Sequence, residues 1–180
     1  LVSFAAAGTR EVVLTGIHLG QYGMDLHPPV ALPAVLRLIG KEGLPLRVRL
    51  SSIEPKEAVP DLVELVASES WLCGHFHIPL QSGDDGVLSR MNRAYRAADY
   101  ARLIEGIHRR LPLAALGADV MVGFPGEDEG AFRHTCSLIQ DLPISYLHVF
   151  PYSPRKGTPA ASFPGHVDPK VAAERAARLR

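Results

Sequence analysis

The chain has 180 residues, 47% of them hydrophobic and 21% charged, and its formal net charge at pH 7 is zero. This composition suits one globular domain with a substantial core, and the balanced charge gives no case for a nucleic-acid-binding protein from composition alone. No apolar run is long enough to span a membrane, so the sequence predicts no membrane partner.

The first residue and the cysteines bear on the context of the chain. It begins with Leu1, already inside a helical pattern, and shows no signal peptide, so we expect a fragment of a longer cytoplasmic protein. The two cysteines, Cys73 and Cys136, lie far apart and fit no zinc or iron–sulfur spacing. They predict two buried thiols in a reducing compartment.

Short apolar runs alternate with helical patterns along the chain. The predicted strands are 11–15, 46–51, 75–80, 118–123 and 145–150. Between the strands, apolar residues recur at helical spacing, as in Leu32, Val35, Leu36 and Ile39. A last helix is predicted with Asp168 as its N-cap and Pro169 in its first turn. A strand–helix repeat of roughly 30–40 residues predicts βα units, a parallel sheet and a single domain.

Polar and apolar residues alternate within these strands, although strands of a parallel sheet covered on both faces usually read as continuous apolar runs. If the apolar faces meet the helices, the polar faces point inward together, which predicts a barrel with a polar, ligand-sized lumen. The side chains expected in that lumen are Arg47, Arg49, His75, His77, Asp119 and His148. An antiparallel sheet with one solvated face is the alternative.

Small, polar and turn residues follow every predicted strand. These endings are Thr15-Gly16, Ser51-Ser52, Gln81-Ser82-Gly83, Gly123 to Gly126 and Pro151 to Pro154. The C-terminal ends of parallel strands are where α/β barrels and open α/β sheets place their active sites. Five such endings in succession therefore predict a ligand site at this edge.

The segment DVMVGFPGEDEG, residues 119–130, has two interpretations. In the structural one, Pro125-Gly126 forms a turn, and the acidic residues 127–129 oppose the positive end of the dipole of the following helix. In the functional one, Gly123 and Gly126 let a ligand approach the backbone closely. Composition favours neither interpretation over the other.

Two further groups also have alternative interpretations. His75 and His77 share one strand face, but spacing places no third ligand, so we predict hydrogen-bonding residues of a cavity and no metal site. In SRMNRAYR, residues 89–96, three arginines accompany an aromatic ring. This pattern suits contact with an RNA backbone and a stacked base, or simply a solvated helix start.

Five longer motifs occur in a fixed order: RLSSIEP (49–55), HFHIPLQSG (75–83), RMNRAY (90–95), DVMVGFPGE (119–127) and LHVFPYSPRKGTPAA (147–161). Together they closely resemble the radical-SAM domain of the tRNA methylthiotransferases, and the resemblance covers nearly the whole chain. The first and last motifs look most like the subtype that modifies threonylcarbamoyladenosine. Two neighbouring subtypes modify isopentenyladenosine in tRNA and an aspartate of a ribosomal protein.

The resemblance implies an enzyme that uses S-adenosylmethionine and two four-iron four-sulfur clusters. It would add a 2-methylthio group to threonylcarbamoyladenosine next to the tRNA anticodon. Its implied partners are the tRNA and an electron donor such as flavodoxin or ferredoxin.

The implied fold is an α/β partial (β/α)6 TIM-like barrel of the radical-SAM type, of which residues 1–180 would supply strands two to six with their helices. The first strand, its C-x-x-x-C-x-x-C cluster loop, the N-terminal domain and the C-terminal RNA-binding domain would lie outside this sequence. We therefore expect no catalytic residue and no metal ligand in the chain, and no activity from the chain alone. We also expect an unpaired edge strand that can pair with another chain.

The resemblance also assigns contacts by position. The implied cofactor-binding residues are Thr15, Gly16, Ser51, Ser52, Gln81, Ser82, Gly123, Gly126, Glu127, Val149 and Phe150. The glycine-rich segment would pack against the adenosyl group, and the backbone of residues 149–152 would recognise the adenine. Asp84 departs from the family pattern, since QSGDD stands where the family has QSGSD, and no hydroxyl contact is expected there. The implied RNA-contact candidates are Arg90, Arg93 and Arg96.

Three alternatives stay open. Methylthiolation of isopentenyladenosine in tRNA, or of a ribosomal-protein aspartate, would use the same domain and differ only in the acceptor. A non-catalytic α/β module that binds a nucleotide would need the glycine turn but no cluster.

Overall fold

The computed structural model describes residues 1–180 and contains five strands and seven α-helices. The strands are β1 (Glu11–Leu14), β2 (Arg47–Leu50), β3 (His75–His77), β4 (Ala115–Val122) and β5 (Tyr146–Pro151). The helices are α1 (Val2–Ala6), α2 (Leu32–Lys41), α3 (Pro60–Ser68), α4 (Asp85–Arg90), α5 (Ala97–Arg110), α6 (Glu129–Asp141) and α7 (Pro169–Leu179). None of these helices has the length and hydropathy needed to cross a membrane.

The chain forms two compact units. The first unit comprises Leu1–Ile78 and Gly106–Ala115, and the second comprises Pro79–Glu105 and Leu116–Arg180. Each unit contains parallel strands with helices between them along the chain, which confirms the predicted α/β class. The prediction of a single domain stays a prediction.

In the first unit, β1 and β2 pair in parallel, with Glu11 opposite Arg47 and Leu14 opposite Leu50. The segment before β3 runs parallel to β2, since Val48 forms a parallel bridge with Leu72 and its carbonyl oxygen accepts from the Cys73 amide over 2.9 Å. Val48 and Leu50 of β2 are buried, and on the opposite face the Glu11 carboxylate lies 2.6 Å from Arg47 and 2.8 Å from Arg49.

In the second unit, β4 and β5 also pair in parallel, from Gly117 opposite Tyr146 to Val122 opposite Pro151. Their apolar face belongs, together with the helices, to the core of this unit. The buried residues of that core include Val120, Val122 and Val149 from the strands and Leu88, Ile104 and Phe132 from the helices. Their polar face carries the Asp119–His148 ion pair, at 3.2 Å. The parallel pairings confirm the βα interpretation and show that the antiparallel alternative was wrong.

Strand boundaries differ from the predicted ones by more than one residue at two strands. β3 ends at His77 rather than at residue 80. Pro79 follows with no amide hydrogen to donate, and Gln81 has a positive φ of 67°. β4 begins at Ala115, earlier than the predicted residue 118, because the Ala115 amide donates to the carbonyl oxygen of Gly74 over 2.9 Å. Long-range pairing of this kind leaves no local signal in the sequence.

Candidate functional site

A cavity of about 530 Å³ lies beside the C-terminal end of β4, within the second unit. Met121, Phe124 and Phe163 give it apolar walls, while Gln81 and Asn92 bring amide groups to its lining. Small-molecule sites commonly measure about 300–1,000 Å³ and combine apolar walls with a few polar groups. The size and lining of this cavity therefore suit a ligand such as a nucleoside.

Gln81 enters this cavity from a fixed backbone. Its φ is 67°, a left-handed backbone conformation that residues other than glycine rarely adopt. Its amide donates to the Asp119 carbonyl oxygen over 2.8 Å, and its own carbonyl oxygen accepts from the Met121 amide over 2.9 Å. The hydroxyl of Tyr95 lies 3.1 Å and 3.0 Å from the carbonyl oxygens of Pro79 and Leu80. An unusual conformation held from several sides is typical of functional positions.

The turn after β4 contains both glycines of the motif DVMVGFPGEDEG, at φ values of 75° for Gly123 and 83° for Gly126. A Cβ atom on Gly123 would lie 2.5 Å from the Cβ atom of Ala172 in α7. One on Gly126 would lie 2.7 Å from the Cζ atom of Arg90. The packing at both positions thus requires glycine, whatever ligand approaches the turn. We call residues 123–127 the glycine turn.

Glu127 closes the glycine turn from inside. Its side chain is buried, and its Oε2 atom accepts from the Gly123 amide and lies 2.9 Å from the Arg175 guanidinium. Burial raises the pKa of this carboxyl, against the opposing effects of the Gly123 amide and Arg175. The sequence pattern grouped Glu127 with the residues that oppose the helix dipole. In the structure that role belongs to Asp128, the N-cap of α6, and to Glu129 in its first turn. The contacts of Glu127 hold the turn, and its expected cofactor contact stays a prediction.

Ser82 is fully buried, and its hydroxyl contacts the protein itself. Its Oγ atom lies 3.4 Å from the hydroxyl of Thr135 and accepts from the Asp84 amide over 3.2 Å. Gly83 is packed so tightly here that a Cβ atom would lie 2.6 Å from the Cα atom of Thr135. Ser82 therefore joins the segment after β3 to α6, and a cofactor contact by its hydroxyl stays a prediction.

Asp84, the departure from the family pattern, is the N-cap of α4. Its Oδ1 atom accepts from the Val87 amide over 3.0 Å, and its Oδ2 atom lies 2.9 Å from His134 Nδ1. Burial raises the pKa of the Asp84 carboxyl, but the hydrogen bonds from His134 and from the amides of Val87 and Gly86 leave that pKa below its ordinary value. The aspartate has a structural role of its own at this position.

Val149 and Phe150 lie on β5 and differ in environment. Val149 is buried, and its carbonyl oxygen accepts from the Arg180 guanidinium over 2.9 Å. Phe150 is 50% exposed and stands opposite Met121, which lines the cavity. Beyond them, the hydroxyl of Tyr152 is buried without a hydrogen-bond partner. Neither Val149 nor Phe150 lines the cavity, and their expected cofactor contacts stay predictions.

Four of the expected cofactor contacts lie at the C-terminal ends of β1 and β2 in the first unit. Thr15 and Gly16 are exposed directly after β1. The Ser51 amide donates to the Leu14 carbonyl oxygen over 2.9 Å, whereas its hydroxyl is buried without a partner. Ser52 forms a parallel bridge with His77. These four residues follow two paired parallel strands and so lie at one strand edge, and their expected cofactor contacts stay predictions.

The three RNA-contact candidates have different environments. The Arg90 guanidinium donates to the Gly126 carbonyl oxygen over 2.6 Å, so Arg90 belongs to the glycine turn. Arg93 and Arg96 line a second cavity of about 650 Å³ that also contains Asp85 and Asp99. Arg96 is exposed, and its backbone amide donates to Asp99 over 3.0 Å. The arginine-rich segment is therefore not one uniformly basic surface.

The residues of the second unit fit S-adenosylmethionine, since the cavity is of the right size and is lined by a glutamine on a fixed backbone, by Asn92 and by apolar side chains that include Phe124 of the glycine turn. They do not fit an iron–sulfur cluster. Such clusters are held by sets of thiolates, and the chain has only Cys73 and Cys136, which belong to different units. Burial raises the pKa of both thiols, which favours their protonated form.

Comparison with known proteins agrees with this parallel α/β fold. Residues 3–139 match the model of the Radical SAM superfamily, and the chain belongs to that superfamily. It is also similar to coproporphyrinogen III oxidase (HemN) from Escherichia coli, described as a radical SAM enzyme. The TM-score is 0.64 at 15% identity, over 81% of this chain and 35% of that one. This likeness concerns the fold alone.

The relatives similar in sequence are tRNA methylthiotransferases. A tRNA-2-methylthio-N(6)-dimethylallyladenosine synthase of Syntrophobacter fumaroxidans is 42% identical over 98% of this chain and 39% of that protein. Threonylcarbamoyladenosine tRNA methylthiotransferase MtaB of Bacillus subtilis is 41% identical over 96% of this chain and 38% of that protein. The chain thus spans about two fifths of the length of these curated relatives.

Sequence reasoning missed three residues that hold the site in place. Arg175 and Ala172 of α7 pack against the glycine turn, and Tyr95 fixes the backbone before Gln81. The N-cap of α7 was correctly predicted at Asp168, but the partner of the helix was not. A buried arginine has no sequence signature, since arginine is usually exposed.

Proposed function

We propose that the chain is the S-adenosylmethionine-binding part of a tRNA methylthiotransferase that modifies threonylcarbamoyladenosine next to the anticodon. The observation that carries the proposal is the cavity beside the glycine turn, which Gln81, Met121 and Phe124 line together. Membership of the Radical SAM superfamily and relatives of about 40% identity support the reaction class. The iron–sulfur clusters would be held by residues other than those of this chain.

In the proposed enzyme this chain binds, orients and excludes water. Bound S-adenosylmethionine, together with a reduced cluster, supplies the radical chemistry. Gln81 offers an amide from a rigid backbone, which orients a polar group of the ligand. Met121, Phe124 and Phe163 provide an apolar wall that keeps water from a reactive ligand. Phe124 belongs to the glycine turn, so the shape of this turn sets the position of part of the apolar wall.

The threonylcarbamoyladenosine acceptor rests on the motifs RLSSIEP and LHVFPYSPR, at residues 49–55 and 147–155. Relatives named for this acceptor occur in Bacillus subtilis and Thermotoga maritima, at 41% and 38% identity. The second candidate is the isopentenyl-type (dimethylallyl) adenosine, favoured by the 42% identity to the Syntrophobacter protein. In both cases the target base must leave its stack to reach the site, and an external electron donor of the flavodoxin or ferredoxin type would reduce the cluster.

Nucleoside mass spectrometry of bulk tRNA, from source cells with and without the gene, tests this proposal. We expect 2-methylthio-threonylcarbamoyladenosine to disappear and its unthiolated parent to accumulate. Loss of the dimethylallyl analogue instead would give the same reaction with the second acceptor. No change in either nucleoside would overturn the tRNA assignment and favour a ribosomal-protein aspartate or a non-catalytic nucleotide-binding module.

Complementation then connects the product to the cavity. The gene carrying Gly126→Val should fail to restore the nucleoside, because the new side chain collides with Arg90 at the cavity. Gly8→Val is the matched control, since Gly8 also has a positive φ, of 80°, but has no atom within 4 Å of an added Cβ and lies outside the lining of the cavity. Full restoration by Gly126→Val would contradict the assignment of the cofactor to this cavity.

A further inference from the structure

Helix α7 reaches the glycine turn through two residues one helical turn apart. Ala172 packs against Gly123, where an added Cβ atom would come within 2.5 Å of the Ala172 Cβ atom. Arg175 follows, and its side chain is only 8% exposed. Long cationic side chains are seldom buried unless they are paired, so the partners of Arg175 indicate its role.

The Arg175 guanidinium contacts the glycine turn at two acceptors. Its Nη1 atom donates to the Glu127 carbonyl oxygen over 3.0 Å and to Glu127 Oε2 over 2.9 Å. The same Oε2 atom accepts from the Gly123 amide. Gly123, the first residue of the turn, is thus linked to Glu127, the last, and through Glu127 to α7. The opposite side of the turn is held by Arg90 at the Gly126 carbonyl oxygen, over 2.6 Å.

We infer that Arg175 is a positioning residue for ligand binding, which holds the glycine turn in its ligand-competent shape through Glu127. This inference rests on the proposed function, in which the turn borders the site of S-adenosylmethionine. Arg175 does not line the cavity, so its effect passes through the backbone of the turn. The guanidinium is suited to this role, because it is planar, always charged and able to serve two acceptors at fixed angles.

Arg178 provides a matched control on the same helix. Its Cζ atom lies 4.9 Å from the centre of the Phe132 ring, and that of Arg175 lies 5.2 Å from it. Both arginines also lie 3.6 Å from the Glu129 carboxylate. Arg178, however, is 59% exposed and has no contact with Glu127. Substituting either arginine removes a cation from α7, but only one substitution affects the turn.

The test measures the dissociation constant of S-adenosylhomocysteine, a stable analogue, for the full chain by calorimetry. Arg175→Met should weaken binding by about tenfold or more, the loss expected for a charge-assisted contact, while Arg178→Met stays near the parent value. Arg175→Lys should recover only part of the affinity, since it keeps the charge but not the fork of donors. Unchanged affinity in folded Arg175→Met would overturn the inference.

Arg175→Met also leaves the Glu127 carboxylate buried without its cation, so that variant alone can lose stability for a trivial reason. The double variant Glu127→Gln with Arg175→Met removes both charges and keeps an acceptor for the Gly123 amide. If Arg175 positions the turn, the double variant regains thermal stability but not affinity for the analogue. Recovery of both would show that Arg175 only neutralises Glu127 and would overturn the inference.

Amide hydrogen exchange separates this inference from the proposed function. Exchange at the Gly123 amide should accelerate in Arg175→Met and stay unchanged in Arg178→Met, with no ligand present. If the parent chain binds no analogue while exchange behaves as expected, the cofactor assignment fails and the control of the turn by Arg175 stands. If the analogue binds but Gly123 exchange is the same in all variants, the positioning role fails and the cofactor assignment stands.

Discussion

Arg90 of α4 donates a 2.6 Å hydrogen bond to the carbonyl oxygen of Gly126. This bond joins two motifs that the sequence could not connect, the arginine-rich segment after β3 and the glycine turn after β4. It also divides the arginines by function, because Arg96, only six positions along, is exposed and lies on the wall of a different cavity.

Arg90 and Arg96 should therefore affect different ligands. Arg90→Met should weaken binding of S-adenosylhomocysteine by about tenfold, the loss of one charge-assisted hydrogen bond, and change tRNA binding little. Arg96→Met should leave the analogue unaffected and reduce the salt dependence of tRNA binding by about one unit of slope, as expected for a phosphate contact. Calorimetry and filter binding at several salt concentrations measure the two effects. Equal losses of tRNA binding in both variants would contradict this division.

The packing of Gly123 against α7 predicts a stability difference between two glycines. Gly157→Ala should cost only the strain of a left-handed alanine, about 1–2 kcal/mol, because no atom lies near the added Cβ. Gly123→Ala should cost about 1–3 kcal/mol more, since Ala172 would have to move. Urea denaturation of both variants gives the comparison. Similar free energies of unfolding would mean that α7 yields at this contact without cost.

Asp84 should make the stability depend on pH in acid. Because its folded pKa lies below the ordinary value of 3.8, the ionised carboxylate stabilises the fold above pH 3.8, and this contribution disappears as the pH falls through the folded pKa. Asp84→Asn keeps a good N-cap but removes the charge. The difference in thermal midpoint between parent and variant should be largest near neutral pH and shrink below pH 3.8. A difference independent of pH would show that the cap alone matters.

The Tyr95 hydroxyl should contribute to ligand binding although it does not contact the ligand itself. Tyr95→Phe removes the donor shared by the carbonyl oxygens of Pro79 and Leu80, which should cost about 1 kcal/mol of stability. It should also weaken binding of the analogue, because the next residue, Gln81, loses part of its support. Tyr22→Phe is the control, since Tyr22 is 51% exposed and lies in the other unit. Loss of stability with unchanged affinity would separate Gln81 from the ligand.

Periodicity predicted the elements of this fold better than it predicted their ends. In the predicted stripe of α2, Leu32 and Leu36 are buried as expected, because helical spacing reflects a covered face directly. The short helix α4 was not predicted, although Asp84 caps it, since six residues give too little periodicity to detect. The end of β3 depends on the conformation of Gln81, which long-range hydrogen bonds to β4 impose.

The site was predictable as a set of strand ends but not as a set of roles. Motif resemblance placed Gln81 and the glycine turn at one edge, where Gln81 and Phe124 line a cavity. The resemblance did not indicate that Glu127 forms an ion pair with Arg175 or that the Ser82 hydroxyl contacts Thr135, because both partners lie far away in sequence. Such pairings arise from tertiary packing, and single residues carry no record of them.

The most direct test of the account is a titration of the isotope-labelled chain with S-adenosylhomocysteine, followed by amide resonances in NMR spectra. We expect saturable shifts at Gln81 and Phe124, which line the cavity, and at Gly123 and Gly126, which lie in the same turn as Phe124, and none at Gly8 and Gly43, around which no neighbouring atom lies within 4 Å of an added Cβ. Saturation without any shift in the glycine turn, or shifts confined to Asp85, Arg96 and Asp99 of the second cavity, would contradict the assignment of the adenosyl group to the glycine turn.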